Sequence, residues 1–459
     1  MERDLTQGGV ARAVLGFGLP LAFGMASHAS FNLVDLWIVG VLGEDAVAAV
    51  HLGSTINFFP MIVGNGISVG AVAILAQCIG AKRHEDARRV ANLAAWIMAI
   101  LALVLGGLSA IFAAPLIALQ SGEGASGRVG QGYLEVVSWG TFTMFGLLHV
   151  TSVFRAIGNA FWPVVLMLAS NVLNILLDFV LIFGWERFGI QPMGAVGAAW
   201  ATVVARFLFT VLGFALLARS SSPLAPGVRL PVRWRDVLAR ILRLGLPQSV
   251  QMFVRASLIV TVTRFAGEVG GSAAQAALGV ATRLETIVLF AAVGWAGAAT
   301  AMVGQASSSG LVPRCHRVAW VASTYAAVMG FALGITFFLA AQPLFLIFVP
   351  DGGADYVDHG RLYFAILAFG HPAAAASLVL AGAWNGIGVS VRPMLLDGLV
   401  FGVLLQPCLV AWRAMGAPNG LATCWTLVLV ANWVLFALYA WRLGHHSWVV
   451  RTREVPRTV

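Results

Sequence analysis

Twelve stretches of this chain are apolar for about 20 residues or more, the length a helix needs to cross the hydrocarbon of a bilayer. They run over residues 14–39, 46–76, 90–118, 131–153, 161–183 and 194–218, then 241–263, 273–304, 318–349, 361–383, 394–414 and 420–442. No water reaches the backbone inside lipid, so such segments must be helical. The expected fold class is therefore all-α integral membrane, with twelve transmembrane helices. Composition agrees: 10% of the residues are charged, against about 25% in a soluble domain. That is too few to cover a water-facing surface. Several spans exceed the minimum length, which implies tilt or kinks. Pro20 and Pro247 lie early in their spans and are expected to bend them.

A net charge of +9 and a pI near 10.2 raise the question of nucleic acid. The basic residues sit in short loops between apolar runs, with no basic stripe or aromatic stacking motif, so no nucleic-acid partner is expected. Their placement orients the chain instead, because cytoplasmic loops hold the excess of Lys and Arg. With both termini cytoplasmic, 20 of the 28 basic residues fall in inner segments or helix ends, and five (Arg128, Arg187, Arg264, Arg361 and Arg413) in outer ones. A miscounted helix would scramble that asymmetry. Arg206, Arg255 and Arg283 remain within spans. Lys82 is the single lysine, a bias of GC-rich bacterial genes, so the expected location is the bacterial inner membrane. Met1 to Ala13 is polar and lacks a short apolar core with a cleavage site, which leaves the first span as the insertion signal. Cys78, Cys315, Cys408 and Cys424 have neither metal nor disulfide spacing and read as small packing residues.

The chain repeats itself at a spacing of about 227 residues. Gly18-Leu19-Pro20 recurs as Gly245-Leu246-Pro247, Met25 as Met252, Ala29-Ser30 as Ala256-Ser257, and Gly43 as Gly270. Leu52-Gly53 recurs as Leu278-Gly279, Gln77 as Gln305, Arg89 as Arg317, and the stretch from Phe154 through Gly158 to Pro163 as Trp384 through Gly388 to Pro393. Six helices per half is an even number, so both halves enter the membrane in the same sense. They are expected as two six-helix lobes, parallel repeats related by a pseudo-twofold axis along the membrane normal, with a cavity between them. The domains read as 1–218, a Ser-, Pro- and Arg-rich cytoplasmic linker at 219–240, and 241–459.

An ionised side chain at mid-bilayer costs about 2.5–3.5 kcal/mol on insertion scales, so each one present needs a reason. Asp35 and Asp178 each precede an outer helix end by about five or six residues, which at 1.5 Å per residue sets both about 8 Å deep. Thr202 lies about 12 Å deep on a descending helix, and Asn174 is one turn from Asp178 on the same face. These four can meet at similar depth in the first lobe. Two neighbouring carboxylates in a poorly hydrated pocket raise each other's proton affinity. Two carboxylates, an amide oxygen and a hydroxyl equally make a set of hard oxygen ligands for a sodium ion. The bland reading is polar glue between helices. Asn32 and Asn57 are accessory candidates, and Arg206, one turn after Thr202, neutralises an acid or faces the cavity. His28, His51 and His149 read as packing residues before proton relays. In the second half Asp35 pairs with Val262 and Asp178 falls near Cys408, so the site is not duplicated. Arg255 is expected to pair with Glu285 on the neighbouring helix.

The residues that build the repeat also resemble the MATE family, the multidrug and toxic compound extrusion transporters of the MOP superfamily. Gly18-Leu-Pro20, Asp35-Leu-Trp-Ile-Val-Gly40 and Ala46-Val-Ala-Ala49 look like the family's first helix and the loop after it. Gly70 through Ala76-Gln77 and Gly80-Ala81 look like its second helix. Arg155-Ala-Ile-Gly158-Asn159, Asn174-Ile-Leu-Leu-Asp178 with the run on to Gly184, and Gly197-Ala-Ala-Trp-Ala-Thr202 look like its fourth, fifth and sixth. The resemblance implies two six-helix lobes and drug/cation antiport, with protons or sodium as the coupling ion. It also places Asp35, Asn174, Asp178 and Thr202 on the positions that form the N-lobe cation site of prokaryotic members. Some branches carry acids in the seventh and tenth helices; here those positions fall at or beside Arg255 and within 373–376. The chain departs from the family's C-lobe site.

No Walker motif, nucleophile elbow or metal-ligand spacing is present, so the chain is not expected to be an enzyme or to hold a cofactor, and an ion gradient must drive transport. The expected partners are small organic substrates and the lipid bilayer, and the expected state is a monomer. A flippase of lipid-linked saccharides is the alternative on the same fold, though only three arginines lie in spans to make a cationic cavity. An integral membrane enzyme such as a prenyl transferase would need an Asp-rich site at the cytoplasmic face. The orientation predicts that a single cysteine placed in 219–240, after removal of the four native ones, reacts with an impermeant maleimide in inside-out vesicles and not in intact cells. Labelling of intact cells would reverse the topology.

Overall fold

The structure, a computed structural model, describes residues 4–121, 125–219, 227, 229–349 and 353–444. Helix accounts for nearly all of them. In order come α1 (Val10–Gly40), α2 (Glu44–Gly80), α3 (His84–Ile111), α4 (Ala125–Trp139 continued by Thr141–Ala156), α5 (Phe161–Phe183) and α6 (Gly194–Arg219). The second half holds α7 (234–270), α8 (272–308), α9 (Val312–Leu339), α10 (Ala354–Leu367 continued by His371–Gly386), α11 (Val391–Ala414) and α12 (Leu421–Gly444). Short helices Ala113–Ser121 and Ala341–Phe348 follow α3 and α9. Twelve crossings result, and the chain is a multi-pass membrane protein. Large apolar side chains on α3, among them Trp96, Ile100, Leu103, Leu108 and Ile111, are exposed, as suits a lipid-facing helix.

The internal repeat is visible in the backbone. The fourth crossing of each half is bent, by 42° in α4 and by 54° in α10. Left-handed φ angles recur at the repeat spacing: Gly43 and Gly271 before α2 and α8, Lys82 and Gly310 after them, and Gly158 and Gly388 after α4 and α10. At Gly271 (φ 70°, ψ −165°) the turn between α7 and α8 takes a conformation that only glycine adopts cheaply. Two crossings carry wide π-helical turns, Ala102–Gly106 within α3 and Gly398–Leu405 within α11.

The chain packs as two compact units whose borders fall inside helices. Ser27–Leu246 form one, and Asp4–Ala26 with the residues from Pro247 onward form the other. The opening turns of α1, with Pro20, belong to the second unit, and those of α7 to the first. Small residues explain why. In the first unit a Cβ added at Gly70 of α2 would come 2.7 Å from the Ile241 carbonyl oxygen, and one at Gly245 would come 2.9 Å from Ile67 Cα. The α7 opening thus lies backbone to backbone on α2, and Val237, Ile241 and Leu244 join the core formed by α2, α3 and α4. In the second unit a Cβ at Gly294 of α8 would meet Ala22 Cα at 2.5 Å, and Gly18 leaves room for the Trp295 ring. Arg314, in the first turn of α9, fastens the segment ahead of α1 by donating to the carbonyls of Leu5 (3.0 Å), Gln7 (2.7 Å) and Gly8 (2.8 Å). Glu268, beyond the end of the predicted seventh span, accepts from Arg264 (2.7 Å) and Arg413 (2.9 Å), and these two guanidinium groups hold its carboxyl below the usual range.

Gly70→Ala is expected to destabilise by about 1–3 kcal/mol, because backbone bounds the added methyl and cannot yield as a side chain does. Gly279, with nothing within 4 Å of its Cβ position, should accept alanine without loss. Thermal unfolding in detergent separates the two, and equal midpoints would refute the close contact.

Candidate functional site

Four of the residues singled out in the sequence come together in the first unit. Asp35 stands five residues before the end of α1, and Asp178 five before the end of α5. Their carboxyl groups share a hydrogen bond. Asp178 is wholly buried, and one Asp35 carboxyl oxygen is buried without any partner. Asn174, a turn earlier on α5, donates its Nδ2 to both Asp178 oxygens at 3.3 and 3.4 Å. The same amide nitrogen lies 3.5 Å from Thr202 Oγ1 on α6. Thr202 reaches it because Gly197 lets α6 pass against α5: a Cβ there would sit 2.6 Å from the Leu181 carbonyl oxygen.

One fixed positive charge faces this group. Arg206, a turn after Thr202, acts through space on Asp35 and on Tyr133 of α4. Tyr133 in turn hydrogen-bonds Ser54 of α2. A carboxylate pair in contact cannot hold two negative charges in a poorly hydrated span unless a proton or a cation enters, and a single guanidinium offsets only one of them. Further along the same face of α5, Asn171 Oδ1 accepts from His28 Nδ1 at 3.0 Å. Tyr133, Ser54 and Asn171 were not singled out in the sequence. Their types are common in helices, and only the approach of α2, α4 and α5 gives them a role.

The accessory candidates separate. Asn57 on α2 keeps a buried amide oxygen without a partner, whereas Asn32 is exposed. His51 is exposed, and His149 is buried with its ring stacked on Phe214 at 5.9 Å.

The second unit differs from the expected pairing. Arg255 does not meet Glu285. Its Nε donates to Asp397 Oδ2 of α11 at 2.5 Å, and its guanidinium lies 5.2 Å over the Phe401 ring. Asp397 is wholly buried and accepts a second bond from Tyr439 Oη of α12 at 3.1 Å; Gln251 donates to that hydroxyl at 3.4 Å. Asp397 opens the π-helical stretch of α11, whose wide turn carries the ring beneath Arg255. Glu285 of α8 instead accepts from the Tyr363 hydroxyl of α10 and faces His371. The sequence missed Asp397 because the eleventh span was expected to start at 394, where an acid marks a helix end. The crossing starts at Val391, three residues earlier, which sets Asp397 nearly two turns into the helix.

Two six-helix repeats, each with ionisable groups enclosed among its helices, are the construction of a membrane transporter. The MatE family model matches the chain twice, over residues 20–180 and 247–409, so the match itself carries the repeat. The chain belongs to the MatE family. It is 25% identical over 370 residues to a "Probable multidrug resistance protein NorM" of Thermotoga maritima, covering 80% of this chain and 78% of that one. It is 29% identical over 342 residues to a protein of the same name from Agrobacterium fabrum, covering 73% and 71%. A "Probable multidrug resistance protein YpnP" of Bacillus subtilis is 25% identical over 423 residues, covering 91% and 92%. Among solved structures, a crystal structure of MATE in complex with MaL6 superposes with a TM-score of 0.89 at 22% identity, covering 97% of this chain and 98% of that one. A MOP superfamily transporter from Pyrococcus furiosus does so at 0.88 with 22% identity and the same coverage. These superpositions share the all-helical fold.

Asp397→Asn leaves Arg255 buried against a neutral partner and should cost about 3–5 kcal/mol in thermal unfolding, while the double change R255M/D397L should come much closer to the wild type. A double variant no better than the single one would show that packing, not charge, is at stake.

Proposed function

We propose that this protein is a secondary antiporter that exports amphipathic organic compounds, mostly cationic, in exchange for protons or sodium ions by alternating access. The observation that carries the reading is the contact between Asp35 and Asp178, with Asn174 and Thr202 beside it. With the pair charged, the carboxylates repel each other and the substrate-loaded arrangement is favoured. A cation entering the pair cancels that repulsion, relaxes α1 about Pro20 and lowers substrate affinity. The cation drives the exchange only if it binds the two arrangements unequally, as contact with both carboxylates in one and not in the other would ensure.

The site suits either ion by a different route. With its NH2 turned towards Asp178, Asn174 leaves the pair to a proton. Turning the amide over sets Oδ1 beside Thr202 Oγ1 and both carboxylates, an oxygen set for sodium. The relatives' name as multidrug resistance proteins supports a range of organic substrates. In this reading the chain works as a monomer in the bacterial inner membrane with both termini cytoplasmic. The 3.5 Å approach of Asn174 to Thr202 makes those two side chains the ones that tune the choice of ion.

In proteoliposomes loaded with rhodamine 6G, an imposed proton or sodium gradient should drive dye movement, one gradient more than the other. Asp35→Asn and Asp178→Asn should each reduce the driven rate at least tenfold while the dye still binds. Gradient-driven movement that survives neutralisation of both acids would defeat the reading.

A further inference from the structure

The second unit holds an ionisable group that the Asp35–Asp178 pair does not involve. Glu285 lies on α8, within the membrane, and accepts from the Tyr363 hydroxyl through Oε2. Its other oxygen, Oε1, stands 3.6 Å from His371 Nε2. His371 is 2% exposed, and neither of its ring nitrogens has a hydrogen-bond partner. A buried imidazole with no hydrogen-bond partner at either nitrogen, one of them 3.6 Å from a half-buried carboxylate, is a costly arrangement for packing alone. One proton on Nε2 turns the gap into a charge-assisted contact and offsets the Glu285 charge.

The surroundings are built for this ring. Gly334 of α9 leaves the space it fills: a Cβ there would lie 2.7 Å from Nδ1. Phe364 packs on the imidazole and Trp425 of α12 on Tyr363, while the Glu285 side chain keeps 22% exposure, a route for a proton. The titratable groups facing it are Tyr363 from α10, His371 from the second arm of α10 and, behind Tyr363, Cys424 from α12. No Arg or Lys acts on Glu285 among the described residues. A sodium ion is poorly served, since an imidazole and a phenol replace the carboxylate and carbonyl oxygens it needs.

The position of His371 gives the proton leverage. It is the first residue of the second arm of α10, past the 54° bend, and Pro372 follows it. A proton bound there changes the charge at the bend itself.

We propose that Glu285, His371 and Tyr363 form a second proton-binding site, in the unit that lacks the Asp35–Asp178 pair. The proton comes from water, rests on His371 Nε2 against Glu285 Oε1, and leaves by the same atoms; Tyr363 keeps its own proton and holds the carboxylate in place. This inference rests on the transporter reading and not on which ion binds at Asp35.

The test counts protons released when rhodamine 6G is added to the purified protein in weakly buffered detergent, followed with a pH-sensitive dye, after fluorescence polarisation has established that each variant binds rhodamine. Glu285→Gln and His371→Gln should each remove the same share of the release, and the double variant no more, since the two residues share one proton. Tyr363→Phe, which keeps the ring, should move the pH at which that share is released. Where the Asp35–Asp178 pair takes a proton, Asp35→Asn removes a separate share that adds to the first. Unchanged release in E285Q and H371Q would overturn the second site even if Asp35→Asn has its effect, and losses that add between E285Q and H371Q would overturn a shared proton. Loss in E285Q with none in Asp35→Asn would uphold this site and leave sodium as the ion of the Asp35–Asp178 pair.

Discussion

Two carboxyl groups in contact inside a membrane span constrain everything around them. Asp35 and Asp178 come from helices far apart in sequence, yet they share a hydrogen bond where water is scarce. Each would cost several kcal/mol to bury charged and alone. What makes the contact tolerable is the company it keeps: a donating amide from Asn174, the guanidinium of Arg206, and Tyr133 anchored on Ser54. These five helices (α1, α2, α4, α5 and α6) must hold their depth and rotation for the balance to stand. The glycines that allow close approach, such as Gly197 against the Leu181 carbonyl, are as much a part of the site as the acids.

The second unit handles buried charge differently. Arg255 and Asp397 neutralise each other within one ion pair, so that place offers no net charge to an incoming cation. Glu285 lacks such a fixed partner and meets only a phenol and an imidazole. The duplicated frame thus carries unlike chemistry in its halves, and the bent fourth crossing occurs in both.

Much of this was legible in the sequence because it depends on length and period. Span count, the repeat and the depths of Asp35 and Asp178 follow from counting residues at a fixed rise per residue. Asn174 followed from the one-turn spacing. Tertiary choice was not legible in the same way. Asn32 also lies within a turn of Asp35, but α5 approaches from the other side and leaves it exposed. Arg255 had a nearby acid in Glu285, yet its partner is 142 residues away in sequence, a distance that no local pattern spans. Helical periodicity likewise shows that α1 and α7 are apolar, not which neighbours their first turns choose.

Those first turns carry a consequence for how such a chain is assembled. Each repeat lends the start of its leading helix to the other: 4–26 lies with the later helices, and the turns before Pro247 with the earlier ones. A lone repeat would leave a glycine-lined groove on its second helix empty and its own opening turns uncovered. Such a repeat could close that groove only by trading arms with a second copy, as domain-swapped dimers do. Holding both copies in one chain makes the trade permanent. Neither half, made alone, inherits a complete core.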